Sequence, residues 1–240
     1  MKQIVDHFDR AYIINLRERT DRRQQTIKEF AKIGIDVPSA RVQFHTADRP
    51  TDRAGFPSIG ARGSFTSHLK ILDLARQGGL QNVLVFEDDI RFEGTATDAV
   101  ERIACGLSGM DWDVVYFGRL APGAITASEP LAAWDGPTTG GHFYGVNGAF
   151  IGRMAEFMHA CESRPPGHPH GGPMFRDGAY NHVRRVMPDV RVLLANPNLA
   201  TQRSSRTDLH ALRVYDRVAC LRPLVNALRS VKNRFQVFGM

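Results

Sequence analysis

Residues 83–90 read Val-Leu-Val-Phe-Glu-Asp-Asp-Ile, which is an apolar run followed at once by three acids. A short apolar run of this kind predicts a strand buried on both faces, as in a parallel sheet. Side chains alternate along an extended chain, so we expect Glu87 and Asp89 on one side and Asp88 on the other. Ligand sites of open α/β sheets lie beyond the carboxyl ends of the strands. The acids therefore indicate a ligand site at this end of the strand.

The three acids also have a plainer interpretation, a polar strand end that caps the next turn. We favour a ligand site, because two carboxylates on one side repel each other and a divalent cation would relieve that repulsion. Hard divalent cations take oxygen ligands and keep coordination positions open for phosphates.

The segments around this strand alternate between two periodicities. Apolar runs predict strands at residues 11–16, 42–46, 112–118 and 190–195. Apolar residues at helical spacing predict helices at residues 22–33, 64–77, 96–107, 153–161 and 177–186. Residues 49–63, 164–173 and 196–209 should be loops. Alternating strands and helices predict an α/β fold with a largely parallel sheet flanked by helices.

The net charge is distributed unevenly along the chain. The 240 residues are 42% hydrophobic and 23% charged, which is typical of a globular protein and excludes a disordered or fibrous one. The formal charge of +6 lies entirely in residues 203–240. We therefore expect a catalytic domain at residues 1–210 and a basic amphipathic helical tail at residues 211–240. Such a tail either lies on an anionic membrane or packs on the domain.

Other features bear on location and partners. The first ten residues contain two aspartates and no apolar core, and the three cysteines show no Cys-x-x-Cys spacing. These features predict a cytoplasmic protein with free thiols, which the tail would place on the inner face of the cytoplasmic membrane. The charge would allow a nucleic-acid binder, but no nucleic-acid-binding motif accompanies it, so we expect no nucleic acid as a partner.

Residues 83–90 resemble the acidic motif of glycosyltransferase family 25, which includes bacterial lipooligosaccharide galactosyltransferases and the collagen galactosyltransferases. Residues 12–23 resemble the family's first strand and the basic turn after it. Residues 60–72 resemble its Gly-x-x-x-Ser-His-Leu helix, and residues 197–209 resemble its C-terminal motif. The chain departs from the pattern at Arg62, Ser64 and Asp48-Arg49, which leaves the sugar and the acceptor open.

The resemblance implies a GT-A-like fold, with a Rossmann-type, mixed but mainly parallel sheet. It implies an inverting, metal-dependent enzyme that moves a hexose such as galactose from a UDP-sugar to a hydroxyl of a surface glycan or lipid-linked precursor of lipopolysaccharide type. Glu87-Asp88-Asp89 then stands for the Asp-x-Asp motif. Asp89 would bind Mn²⁺ or Mg²⁺ directly, and Glu87 would lie close to the metal, at the ribose or a metal-bound water.

Besides Glu87 and Asp88 of the acidic motif, the candidates for the donor site are Asn15, Leu16, Arg17, Arg22, Asp48 and His68. Of these, Asn15, Leu16 and Arg17 come first in the chain. The first three end the first strand, where the nucleotide is expected. Arg22 either faces the phosphates or is a solvated cation at a helix start. His68 either bonds the donor, orders the acidic residues or is structural, and Asp48 would contact the base or ribose.

Inverting transfer also needs a general base that takes the proton of the acceptor hydroxyl. Asp177 occupies the position where family members carry an aspartate before a helix, although an aspartate there is equally a helix N-cap. Asp113, Asp135 and Asp208 are the fallbacks. A relative that binds nucleotide sugars without catalysis is the alternative function.

Overall fold

The computed structural model describes residues 1–203. Its helices are α1 (Lys2–Asp6), α2 (Thr20–Ala31), α3 (Ile59–Gln77), α4 (Thr97–Gly109), α5 (Phe150–Ser163) and α6 (Arg176–Val186). Its strands are β1 (Arg10–Asn15), β2 (Val42–Thr46), β3 (Asn82–Glu87), β4 (Ile90–Phe92), β5 (Val114–Gly118), β6 (Leu131–Ala133), β7 (Phe143–Asn147), β8 (Val192–Ala195) and β9 (Ala200–Gln202). The predicted tail at residues 211–240 lies outside the described residues.

The strands form a mixed sheet in the order β2-β1-β3-β7-β5-β8-β6. β1 pairs in parallel with β2 and β3, and β5 pairs in parallel with β8. β7 is antiparallel to both β3 and β5, which therefore run in the same direction. Short β9 pairs with β4 and with the end of β5. The predicted α/β architecture with a mainly parallel sheet is confirmed.

Each face of the sheet is covered by a separate apolar core. Val83 and Val85 of β3 belong to the core that includes buried residues of α3, α5 and α6. Leu84 and Phe86 belong to the core that includes buried residues of α1, α2 and α4. Because β3 is buried on both faces, alternation along it directs residue 87 toward α3 and α6, and residue 88 toward α2.

Helix α3 begins earlier than its sequence pattern predicts. It starts at Ile59 rather than at residue 64, and Ser58 caps it by accepting a hydrogen bond from the Ala61 N–H at 3.0 Å. The prediction of loop through residue 63 was therefore wrong. Gly63 lies inside the helix because the helix passes close to the end of β2: a Cβ at this position would lie 2.6 Å from the Asp48 carbonyl oxygen. The glycine signals a close approach and not a loop.

Four strands were not predicted from the sequence. β4, β6 and β9 have three residues each, too few for a periodic pattern. β7 contains Gly145, where a Cβ would lie 2.5 Å from the Phe8 ring, so this strand lacks the usual run of apolar side chains. Within residues 1–203, no helix combines the length and the apolar character needed to cross a membrane.

Two helical glycines test the close approach of α3 to β2. Gly152 of α5 has room for a methyl group, since a Cβ there would lie 3.7 Å from its nearest neighbour, a carbon of the flexible Arg76 side chain. We expect Gly152→Ala to raise the free energy of unfolding by about 0.5 kcal/mol through loss of backbone entropy in the unfolded chain. Gly63→Ala should lower it by about 1–3 kcal/mol, because a backbone oxygen obstructs the methyl group. Urea denaturation measures both, and equal effects would contradict the packing argument.

Candidate active site

Glu87 and Asp89 lie on one side of the turn that connects β3 to β4. The Gln202 side-chain amide donates to Glu87 Oε2 at 2.9 Å and to Asp89 Oδ1 at 3.4 Å. Because one nitrogen reaches both carboxylates, their oxygens converge on a common point. This is the arrangement that strand alternation predicts for residues 87 and 89.

Asp88 lies on the opposite side, against α2, and is 6% exposed. Its Oδ1 accepts from Arg22 at 2.8 Å and its Oδ2 accepts from Asn15 at 2.7 Å. The hydroxyl of Thr26 donates to the Asp88 carbonyl oxygen at 2.7 Å. Asp88 therefore joins the ends of β1 and β3 to α2. Asn15 and Arg22 thus lie at the acidic turn, where both side chains donate to Asp88. Their predicted contacts with the donor stay a prediction.

Charge compensation differs sharply between the other two acids. Burial, reinforced by the neighbouring Glu87 carboxylate, raises the pKa of Asp89 to about 7, and Arg22 at 3.9 Å offsets this only in part. Burial alone would also raise the pKa of Glu87. The adjacent His68 ring and the Arg176 guanidinium more than offset that effect and lower the Glu87 pKa to about 2. Asp89 is thus a half-buried carboxylate that lacks a sufficient positive partner.

Arg176 brings Asp177 to the acidic turn. Its Nη2 lies 3.1 Å from Glu87 Oε1, and its Nη1 lies 2.8 Å from Asp177 Oδ1. The Gly140 N–H donates to Asp177 Oδ2 at 2.7 Å. Asp177 is in the first turn of α6 and the N-cap is Phe175, so the N-cap interpretation of Asp177 was wrong.

His68 is buried on α3 and is neutral at physiological pH. Its Nδ1 lies 2.7 Å from the Tyr144 hydroxyl, and its Nε2 lies 3.7 Å from Glu87 Oε1. Burial, together with the Arg176 charge, lowers the pKa of His68 to about 4. Of the predicted roles, the contacts favour ordering of the acidic turn. Since α3 starts at Ile59, His68 lies deeper in the helix than its sequence pattern suggested.

Asp48 lies at the end of β2, and its side chain is directed toward α3. Its Oδ1 pairs with Lys70 at 2.5 Å, and its N–H donates to the Ser67 hydroxyl at 2.8 Å. Asp48 and Lys70 line a groove of about 390 Å³ on this side of α3. Leu16 is half-buried and Arg17 exposed in the turn after β1. The described side-chain contacts thus connect Asp48 to α3 and leave Leu16 and Arg17 at the strand end where they were predicted.

The two fallback bases within residues 1–203, Asp113 and Asp135, are poorly placed. Asp113 precedes β5 and accepts from the Arg191 N–H at 2.8 Å. Because β5 runs parallel to β3, Asp113 lies at the edge of the sheet opposite to Glu87. Asp135 is exposed, 3.7 Å from Arg184, and Asp208 lies outside the described residues.

No protein-family model matches the chain. A protein of Anopheles gambiae named "Glycosyltransferase 25 family member" is 33% identical over 140 residues, which cover 45% of this chain and 21% of that protein. The human "Inactive glycosyltransferase 25 family member 3" is 29% identical over 178 residues, covering 66% and 29%. "Procollagen galactosyltransferase 1-A" of Xenopus laevis is 27% identical over 150 residues, covering 52% and 23%. The chain is thus similar to members of glycosyltransferase family 25 over about half to two thirds of its length.

The chain spans less than a third of the length of these curated relatives. Among solved structures, a glycosyltransferase involved in the glycosylation of the major capsid of PBCV-1 aligns with a TM-score of 0.46 at 10% identity. The alignment covers 82% of this chain and 94% of that one.

Glu87 and Asp89 suit a hard divalent cation. Within residues 1–203, no group of three or more His, Cys, Asp or Glu side chains could hold a metal by itself. Mg²⁺, however, is ordinarily bound by one or two carboxylates, with substrate phosphates and water at its other positions. Asp89, which lacks a sufficient positive partner, and Glu87 beside it provide two such carboxylates, so the residues present fit the implied cation.

Three residues of the site were missed in the sequence analysis: Arg176, Gln202 and Tyr144. Arg176 precedes Asp177 directly, and Gln202 falls in the segment that resembles the C-terminal motif. Nothing in a local pattern distinguishes a buried arginine from an exposed one, so these contacts emerge only from the packing of α6 and β9 against the end of β3.

The raised pKa of Asp89 predicts a pH dependence of stability in the absence of divalent cations. The pKa of Asp89 is about 7 in the folded state and near 3.8 in the unfolded state. Between these two pH values the folded protein keeps a proton that the unfolded chain releases, so stability falls as the pH rises from 3.8 to about 7. Asp89→Asn removes that loss. In EDTA at pH 8, we expect the variant to be more stable than the wild type by about 1–3 kcal/mol, and the difference to shrink toward pH 4.

Urea denaturation at several pH values measures this difference. Asp98→Asn, at an exposed position on α4, is the control and should show no such pH dependence. A difference between Asp89→Asn and the wild type that stays constant with pH would contradict the electrostatic assignment.

Proposed function

We propose that this chain is an inverting, metal-dependent glycosyltransferase. It moves a hexose, with galactose as the first candidate, from a UDP-sugar to a hydroxyl of a glycan or glycolipid. The observation that carries the proposal is the half-buried Asp89, whose charge is only partly compensated, beside Glu87 at the carboxyl end of β3. The names of the curated relatives support glycosyl transfer in general, and one of them is a galactosyltransferase.

On the donor side, Asp89 and Glu87 would hold Mn²⁺ or Mg²⁺. When bound, the cation neutralises the charge that develops on the departing nucleoside diphosphate. Asp88 keeps α2 against the acidic turn through Arg22, and the turn of Leu16 and Arg17 lies at the neighbouring strand end. These residues form the wall against which the nucleotide would lie.

On the acceptor side, Asp177 is the proposed general base. Its Oδ1 lies 2.8 Å from Arg176 Nη1 in an ion pair, and its Oδ2 accepts from the Gly140 N–H. A carboxylate has about four lone-pair sites, so capacity remains for an acceptor hydroxyl. Those two contacts fix the orientation of the carboxylate, as a base must be held to remove a proton efficiently.

The proposed class of acceptor is supported only by the sequence pattern of residues 211–240. A lipid-linked precursor of lipopolysaccharide type would be met at a membrane surface, and residues 211–240 would supply the contact through their basic amphipathic pattern. These residues lie outside the described part of the chain, so the membrane contact remains a prediction from sequence.

A second candidate function is binding of a nucleotide sugar without transfer. It is favoured by one observation, the name of the human relative, which is described as inactive. Under this alternative the chain would bind UDP and the cation but would not turn over any donor. The two experiments that follow separate the two functions.

Donor binding is tested by thermal unfolding with UDP and Mn²⁺. At a ligand concentration one hundred times Kd, we expect stabilisation of the wild type by about 2.7 kcal/mol. Asp89→Asn should lose most of this stabilisation, because it removes a charged ligand of the cation. Asp98→Asn is the matched control and should respond as the wild type does. A wild type that responds to no nucleoside diphosphate with Mn²⁺ would overturn the proposal.

The role of Asp177 is tested by comparing transfer with donor binding. Asp177→Asn should lower kcat for transfer by about 10²–10⁴-fold, the usual contribution of a general base. Its stabilisation by UDP and Mn²⁺ should be retained. Asp135→Asn, at the exposed fallback position, should retain both properties. Loss of donor binding in Asp177→Asn, or undiminished transfer, would sink the assignment.

A further inference from the structure

One buried guanidinium joins the two halves of the proposed site. Arg176 is 5% exposed, and its two terminal nitrogens contact different carboxylates. Nη2 lies 3.1 Å from Glu87 Oε1, on the donor side. Nη1 lies 2.8 Å from Asp177 Oδ1, on the acceptor side. The Nη2 contact is a hydrogen bond and the Nη1 contact is an ion pair. Because a guanidinium is planar and rigid, holding both carboxylates against it sets the spacing between them.

The surroundings of Arg176 hold the guanidinium in place. Its central carbon lies 5.4 Å from the ring centroid of Tyr144 and 6.0 Å from that of Tyr180, within the range of cation–π attraction. Gly141 packs closely against the Tyr116 ring and the Arg176 guanidinium. A Cβ there would lie 2.5 Å from the Tyr116 ring and 3.1 Å from Arg176 Nη1. Arg176 therefore has little freedom to change its position.

We propose that Arg176 is a positioning residue that fixes the carboxylate of Asp177 relative to that of Glu87. The acceptor hydroxyl and the donor then meet in a single geometry. The proposal rests on the proposed function, in which Glu87 serves the donor and Asp177 is the base. Displacement of a catalytic group by about 1 Å can lower the rate 10²-fold, so the rate of transfer should depend on the spacing between Glu87 and Asp177.

The competing view is that Arg176 only neutralises two buried acids. Removing one partner of a buried ion pair is strongly destabilising whether or not the pair has a function. Loss of stability therefore does not discriminate between the views. A positioning role predicts a loss in kcat with little change in the KM for the donor, together with dependence on Asp177.

The first experiment compares Arg176→Lys with Arg184→Lys. Lysine keeps the charge but has no planar fork to hold two carboxylates. Arg184 lies on the same helix and donates to the carbonyl oxygens of Gly136 at 2.7 Å and Trp134 at 2.9 Å, so it is the matched control. We expect Arg176→Lys to lower kcat for transfer about 100-fold and to change the donor KM less than about 3-fold. Arg184→Lys should leave both constants near wild type.

A double variant tests whether Arg176 acts through Asp177. Adding Arg176→Lys to Asp177→Asn should lower the residual kcat by no more than about 3-fold, because the group that Arg176 positions is already lost. If the two losses multiply in full, Arg176 acts elsewhere and the proposal is wrong. A wild-type kcat in Arg176→Lys, or a donor KM that rises in proportion to the fall in kcat, would also overturn it.

A second pair of variants covers the case in which Arg176→Lys does not fold. Gly141→Ala keeps every charged group but crowds the Tyr116 ring and Arg176 Nη1. Gly136→Ala crowds the Trp134 ring at a similar 2.6 Å, away from the acidic turn. We expect a fall in kcat for Gly141→Ala only, and equal kcat values in the two variants would overturn the proposal. Absence of wild-type turnover would overturn the proposed function as well, which distinguishes the two failures.

Discussion

The ion pair between Arg176 and Glu87 is the contact on which the arrangement of this site depends. It joins residues 89 positions apart in the chain, at the start of α6 and the end of β3. Glu87 is directed into a buried location, where an ionised carboxylate is unfavourable unless it is paired and hydrogen-bonded. Arg176, His68 and Gln202 together meet that requirement. Because Arg176 also contacts Asp177, the interaction that makes Glu87 tolerable also brings the proposed base to the acidic turn.

The three adjacent acids show how one short sequence can serve three purposes. Asp88 is paired with Arg22 and Asn15 and attaches α2 to the sheet. Glu87 is paired with Arg176 and connects the sheet to α6. The remaining acid, Asp89, is left with too little positive charge around it, and its pKa is raised accordingly. The unequal compensation follows from which helix each side chain meets, and it leaves Asp89 as the carboxylate most in need of a cation.

Much of the fold was predictable from local pattern. The ends of β2 were predicted correctly, and β1, β3, α2, α4, α5 and α6 were predicted with small shifts at their ends. Apolar runs and helical spacing report burial directly, so they succeed wherever an element is long enough to show a period. The elements that were missed lack such a local pattern. The early start of α3 and the strand β7 were missed because Gly63 and Gly145 lie at close contacts between distant segments, where a glycine carries no local helix or strand signal.

The sequence by itself determined the buried strand, the three acids at its end and their alternation to opposite sides, because these follow from the geometry of an extended chain. It also carried the family resemblance, which rests on the order of short motifs. Only the tertiary structure decided which acid is paired and which is not, and that Arg176 links Glu87 to Asp177. The physical reason is that charge compensation in a buried site depends on distances between segments far apart in the chain, and no local pattern contains those distances.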